Sequence, residues 1–266
     1  MTVARSLATL TVEKVWGRDQ LPAPFAAPAG QRIGEIWFEP PPELDSLLVK
    51  FLFTSERLSV QVHPSDAQAM TGEEGKEECW LILEADPGAE IAIGLRNEAS
   101  EEHLRDAAID GSIEHLLEWH EVQPGDFFYL PAGTIHAIGG GLSLVEVQQN
   151  SDTTFRLYDY GRPRELHLDR AIDVAQRGPY PSAMRQRVSD ASQCLVDGPH
   201  FRLDRIIGAP GAATRAAYEG ALLLLPLEGE LQLEGAALAA GACAYAPSID
   251  EVDFTAAGIT LLARPA

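Results

Sequence analysis

Long stretches of this chain alternate between polar and apolar residues. Leu58-Ser-Val-Gln-Val-His-Pro64 does so, as does Leu142-Ser-Leu-Val-Glu-Val-Gln-Gln149, while Gly75-Lys-Glu-Glu-Cys-Trp-Leu-Ile-Leu83 runs from polar into an apolar strand. A period of two is the signature of a strand whose two faces meet different surroundings. The first forty residues carry Pro/Gly punctuation (LPAPFAAPAG, EPPPEL) and read as loops and edge strands, since proline cannot serve an internal ladder. Ser46 to Leu95 is strand-rich, and strands return after Val122 as FFYLP, LSLVEVQQ and TFRLYDY. Residues 98–119 form the best helical segment, with a start at Ser100, Leu104, Ala107 and Ala108 at helical spacing, and a break at Gly111. A second helix is expected near Leu168 to Gln176. The polar, turn-rich stretch at 176–192 is a candidate boundary, and the remainder reads as a compact all-β unit.

An internal echo supports two β-units. Gly125-Asp-Phe-Phe-Tyr-Leu-Pro131 and Gly241-Ala-Cys-Ala-Tyr-Ala-Pro247 share a glycine turn, five strand residues and a proline. The motif is weak alone, but each copy sits late in a strand-rich stretch. Two copies of one small β-barrel is the simple reading.

Charge narrows the partners. Twenty Lys+Arg against forty Asp+Glu leave a net charge of −20, which repels nucleic acid and anionic lipid. A phosphorylated metabolite would need a local cluster of Lys and Arg. The three cysteines, Cys79, Cys194 and Cys243, form neither a disulfide framework nor a metal knuckle, which fits a reducing compartment. No apolar run approaches the roughly 18 residues of a membrane span. A cytoplasmic protein acting on a small molecule, as monomer or homodimer, is the expectation.

The alternation at 58–64 places Ser59, Gln61 and His63 on one face and Val60 and Val62 on the other. Such a face holds either two convergent ligands or ordinary wet polar groups. Glu78, Trp80 and Ile82 share a face of the next strand, and a carboxylate at an apolar lip is costly to bury unless paired or metal-bound. Pro131-Ala-Gly-Thr-Ile-His136 projects an imidazole from a tight turn, whereas His103, His115, His120, His167 and His200 carry no such signal. Gln61, His63, Glu78 and His136 together offer two imidazole nitrogens and two oxygens without a thiolate. That set suits zinc or another divalent first-row metal, with room for water or substrate. Glu146 and Gln148 share a face downstream. Arg156 and Arg162 either reach into a pocket or pair with Asp152 and Asp159.

LSVQVHP, GKEECW, PGDFFYLPAGTIHAIG and EVQQNSDTTFRLYDYGR, in this order and spacing, resemble type I mannose-6-phosphate isomerase in its short bacterial form. The glycine–proline–histidine stretch is also the second motif of the cupin superfamily. The likeness covers about residues 12–175 and weakens afterwards. It implies a mainly β fold of two cupin-like jelly-roll barrels with a small helical insertion near 98–119. Residues 1–180 would form the metal-binding catalytic unit and 181–266 a second, metal-free one. It implies a metal, usually zinc, on Gln61, His63, Glu78 and His136, with Arg156, Glu146 and Lys76 as catalytic residues and Lys50, Ser59 and Trp16 toward substrate. The implied reaction interconverts mannose 6-phosphate and fructose 6-phosphate through an enediol. The chain departs from the cupin pattern at Gly140, where Asn is usual. In the second copy, Val252 falls where His136 stands in the first. A cupin oxygenase and a non-catalytic sugar-binding cupin are the other classes. The Q-x-H spacing argues against the oxygenase, and the retained ligands and Arg156 argue against a non-catalytic cupin.

Overall fold

A computed structural model describes residues 3–266. The molecule is mainly β and is built of stacked layers. A seven-stranded antiparallel sheet runs, in spatial order, Arg185–Arg187, Asp126–Leu130, Glu78–Ala85, Leu142–Gln149, Leu47–Thr54, Ile33–Phe38 and Thr9–Arg18. A five-stranded sheet orders Phe155–Tyr158, Val60–Val62, His136–Ile138, Glu90–Leu95 and Leu117–Glu121. Trp80, Ile82, Ile91, Ile93, Phe128 and Leu144 pack together where these two sheets meet. Helices cover the outer side of the five-stranded sheet, where Val60, Val62, Ala92 and Ala137 meet Leu104, Ala107, Ile113 and Ile172.

On its other face the seven-stranded sheet packs against a six-stranded sheet that includes Phe201–Ile207, Leu222–Pro226 and Ile259–Pro265. Phe51, Phe53, Cys79, Leu81, Val145 and Val147 from one side meet Phe201, Leu203, Leu223 and Leu261 from the other. A three-stranded sheet closes the far end over Leu231, Leu233, Val252 and Phe254. The chain exchanges edges between the two halves. Arg5–Ser6 pairs with Ala244–Ala246, and Arg185–Arg187 pairs with Asp126–Leu130.

The helical segment is shorter than its pattern suggests. Ser100 caps Glu101–Asp110 by accepting the His103 amide (3.1 Å), and Gly111 ends that helix in the left-handed region at φ 85°. A second short helix spans Ile113–Leu116. Residues 117–119 are not helical, because Leu117–Glu121 pairs as a strand with Glu90–Leu95. Tertiary pairing outweighs local propensity there. A helix does form at Leu168–Val174. The echoed glycines, Gly125 and Gly241, both adopt positive φ (87° and 84°), as a tight turn into a strand requires. Val252, the counterpart of His136, is buried in the apolar cluster beneath the three-stranded sheet. Gly140 is explained by contact: a Cβ there would lie 2.7 Å from the Ser55 carbonyl oxygen. Among the described residues, no helix is long and apolar enough to cross a membrane.

Candidate metal centre and cationic cavity

Strand register assembles the centre. Gln61 is flanked by His136 on one neighbouring strand and Arg156 on the other. Across the sandwich, Glu146 lies between Trp80 and Lys50, and Gln148 pairs with Glu78. The alternation decides which side chains enter. Gln61, His136, Glu78 and Glu146 take one side, while Val60, Val62, Ala137, Cys79 and Val145 join the apolar layers on the other. His63 follows its strand, held where its carbonyl accepts the Gly133 amide at 2.8 Å.

His63, Glu78 and His136 are almost wholly buried, and their ligand atoms lie within 4.8 Å of one another. His63 Nδ1 donates to the Thr153 carbonyl and His136 Nδ1 to the Thr134 carbonyl, each at 2.9 Å. Each Nε2 therefore carries a lone pair rather than a proton. Those lone pairs face the Glu78 carboxylate at 3.4 Å and 3.3 Å. Burial, with Lys76 adding to it, pushes the His63 imidazole down to about 4, and burial also lowers His136. Neither imidazole supplies a proton to the cluster at neutral pH. Neither Glu78 oxygen has a hydrogen-bond partner of good geometry. Lone pairs and a carboxylate converging without a shared proton repel one another unless a cation stands among them. Lys76 Nζ partly fills that role, at 3.0 Å from Glu78 and 3.3 Å from His63 Nε2. The donor set fits a divalent ion held by two nitrogens and a carboxylate.

Gln61 completes the ring. Its Nε2 is 3.2 Å from His136 Nε2, and its Oε1 is 3.4 Å from Ser59 Oγ. Rotation of the amide would turn Oε1 inward and Nε2 toward Ser59, so the side chain can serve as a fourth, neutral ligand.

A cavity of about 330 Å³ opens over this cluster. Trp16, Lys50, Ser59, Gln61, Lys76, Glu146 and Arg156 line it, and His63, Glu78 and His136 lie beneath. Lys76 and Gln61 join the two groups, each lining the cavity and touching the cluster. Arg162 does not reach the cavity and pairs with Asp159 at 3.2 Å. Arg156 takes the other course: its Nη1 donates to the Glu165 carbonyl (2.7 Å), and its Nε is buried without a partner.

Gln148, which shares a face with Glu146, lines the cavity too, and other lining residues escaped the sequence reading: Lys14, Glu35, Trp37 and Arg164. Lys14 shares the face of Trp16 by period two, which was a usable signal. Glu35 had none, since its role is set by Lys14 (2.9 Å) and Lys50 (3.4 Å) on neighbouring strands. Arg164 leaves the Phe155 strand through a turn and is held by both oxygens of Asp159 at 2.5 and 2.7 Å.

Lys14, Lys50, Lys76, Arg156 and Arg164 outnumber Glu35, Glu146 and Asp152 in the lining. A chain of charge −20 therefore has a locally cationic cavity. Burial alone would depress Lys50, but Glu146 at 2.9 Å, with Glu35 behind it, raises it above its ordinary value. Burial, followed by repulsion from Glu78, raises the Glu146 carboxyl. Glu146 also accepts the Trp80 indole N–H at 2.9 Å, which fixes its orientation.

No family model matches this chain. A mannose-6-phosphate isomerase of Streptococcus mutans is 49% identical over 140 residues, covering 50% of this chain and 44% of that protein. The ManA mannose-6-phosphate isomerase of Bacillus subtilis is 40% identical over 197 residues, covering 69% and 62%. These matches span less than two thirds of either relative's length. A solved Bacillus subtilis mannose 6-phosphate isomerase superposes with a TM-score of 0.78 over 98% of this chain and 99% of that one, at 28% identity. This chain is similar in sequence and in fold to proteins named mannose-6-phosphate isomerases. The likeness to that solved structure continues past residue 175, where the sequence resemblance fades, so the C-terminal sheets belong to the shared fold.

Proposed function

We propose that the chain is a metal-dependent aldose–ketose isomerase interconverting mannose 6-phosphate and fructose 6-phosphate. The observation that carries this is the cationic cavity beside the buried His63–Glu78–His136 cluster, whose ligand atoms converge within 4.8 Å of one another. The resemblance to named isomerases supports it. We take the ion to be zinc, on Gln61, His63, Glu78 and His136, because a site of two imidazoles and two oxygens without sulfur suits it. When bound, such an ion polarises the sugar oxygens.

The protein's own groups divide the remaining tasks. Lys14, Lys50 and Arg164 neutralise the phosphate against the acidic surface. Trp16 walls the cavity and excludes water from the sugar. Arg156, with its unpartnered Nε, donates to the oxygens on which negative charge gathers as the enediol forms. Glu146, its carboxyl raised above the ordinary carboxylate value by burial, carries the proton between C1 and C2 at its Oε1. Lys76, between the cluster and the cavity, stabilises the charge on the sugar oxygens. Ser59 orients Gln61. Residues 1–180 carry this chemistry, and 181–266 are a metal-free partner unit. A cytoplasmic location is part of the proposal, in keeping with three unpaired cysteines.

The test is isomerisation of mannose 6-phosphate by the zinc-loaded protein, read by coupling to glucose 6-phosphate formation and its dehydrogenase. Turnover is expected. Absence of turnover with a full equivalent of zinc bound would overturn the reading.

A further inference from the structure

On the far face of the seven-stranded sheet lies a second cavity of about 370 Å³, at the seam with the six-stranded sheet. Its walls are apolar, formed by Phe25, Phe51, Phe53 and Leu81 with Leu227 opposite. Phe25 packs with ring centroids 4.7 Å from Phe51 and 5.3 Å from Phe53. One cation enters this apolar seam. Along Phe201–Ile207, the residues Phe201, Leu203 and Arg205 share a face by period two, and the first two join the core. Arg205 is only 7% exposed. Its one hydrogen bond among the described residues runs from Nη1 to the Ser189 carbonyl at 3.0 Å, and no carboxylate there lies within ion-pair distance. Glu84 and Glu228, which border the cavity, are solvent-exposed, and Glu84 already accepts the Ser143 hydroxyl at 2.9 Å.

A largely buried guanidinium at an apolar wall without a counter-charge is less favourable than one that an anion meets. We propose that this cavity binds a small amphipathic monocarboxylate, its carboxylate on the free edge of Arg205 and its alkyl or aryl body against Phe25, Phe53 and Leu81. The planar fork of arginine matches a carboxylate with two parallel hydrogen bonds. A single cation within apolar walls, bordered by two acids, selects against a dianion such as a phosphate monoester. The volume stands at the low end of the roughly 300–1,000 Å³ usual for small-molecule sites. The site is separate from the metal cavity and does not depend on the isomerase reading.

Octanoate, octanol and octyl phosphate are titrated calorimetrically into the full-length, zinc-loaded protein and its Arg205→Met and Arg205→Lys variants. Saturable one-to-one binding of octanoate is expected, at least tenfold tighter than octanol or octyl phosphate. Arg205→Met should weaken octanoate tenfold or more, and Arg205→Lys should retain part of the binding. Absence of saturable octanoate binding, equal affinity for octanol, or unchanged affinity in Arg205→Met would overturn the proposal. Should Arg205→Met fail to fold, a photoreactive octanoate analogue on the wild-type chain decides: labelling at Phe25, Phe53 or Leu81 supports the site, and labelling confined elsewhere refutes it.

Discussion

Replacing Lys50 with Met tests the charge network that shapes the cationic cavity. Lys50 is buried between Glu146 (2.9 Å) and Glu35 (3.4 Å), with its Nζ 5.5 Å from the centroid of the Trp37 ring. Methionine fills similar space but leaves two buried carboxylates facing each other without the ammonium. Breaking one partner out of a buried ion pair costs roughly 3–5 kcal/mol. Lys14 still holds Glu35 at 2.9 Å, and Lys76 stands 3.8 Å from Glu146, so the low end applies. The loss should be about 3 kcal/mol, or a fall in Tm of roughly 6–12 °C for a chain of this size. The pH dependence follows from Glu35. Burial would raise its carboxyl, but Lys50 and Lys14 overcome this and hold it below the usual value. A carboxylate depressed on folding stabilises the protein above its unfolded pKa, and that stability is lost as pH falls through the folded value. Lys50→Met removes the strongest of the lowering charges. The gap from wild type should therefore be widest at neutral pH and narrow as pH drops below about 4. Urea unfolding at several pH values, with unchanged m-values, measures this. A variant as stable as wild type at pH 7, or a deficit flat with pH, would refute the network as described.

Two further substitutions separate the metal from the chemistry. His136→Ala deletes one of the two imidazoles proposed to hold the metal, so elemental analysis should find the metal lost and turnover abolished. A metal-loaded, active variant would remove His136 from the site. Arg156→Ala should retain a full equivalent of metal yet lower kcat by roughly 100–1,000-fold, the range seen on removing one transition-state donor; an unchanged kcat would exclude that role.

The alternation of polar and apolar residues is legible because it is local. Which residues of 58–64, 75–83 and 142–149 share a face needs no knowledge of the partner strands, and Gln61, Glu78 and Glu146 follow from it. His136 follows from the proline–glycine turn before it. Glu35 and Arg164 were hidden because their significance lies in register and turn geometry: Glu35 matters only beside Lys14 and Lys50, and Arg164 only where Asp159 holds it. The end of the helical segment was hidden for the same reason. Leu117–Glu121 is a strand because Glu90–Leu95 lies beside it. The exchanged edges, Arg5–Ser6 and Arg185–Arg187, left no trace in composition.

The seven-stranded sheet is a wall shared by two unlike compartments. Along Glu78–Ala85, Glu78 and Trp80 face the metal side while Cys79 and Leu81 face the apolar seam, and along Leu142–Gln149 Glu146 opposes Val145 and Val147 in the same way. A slip of one residue in either strand would turn a carboxylate into the apolar layer and a valine or cysteine toward the metal. The carboxylate would be desolvated without a partner, and in the Glu78 strand the His63–Glu78–His136 cluster would lose its carboxylate from the same displacement. One register therefore satisfies the core and the site together. The requirement explains why the centre sits on the sheet interior rather than on a loop: burial on one face fixes the position of the charge on the other.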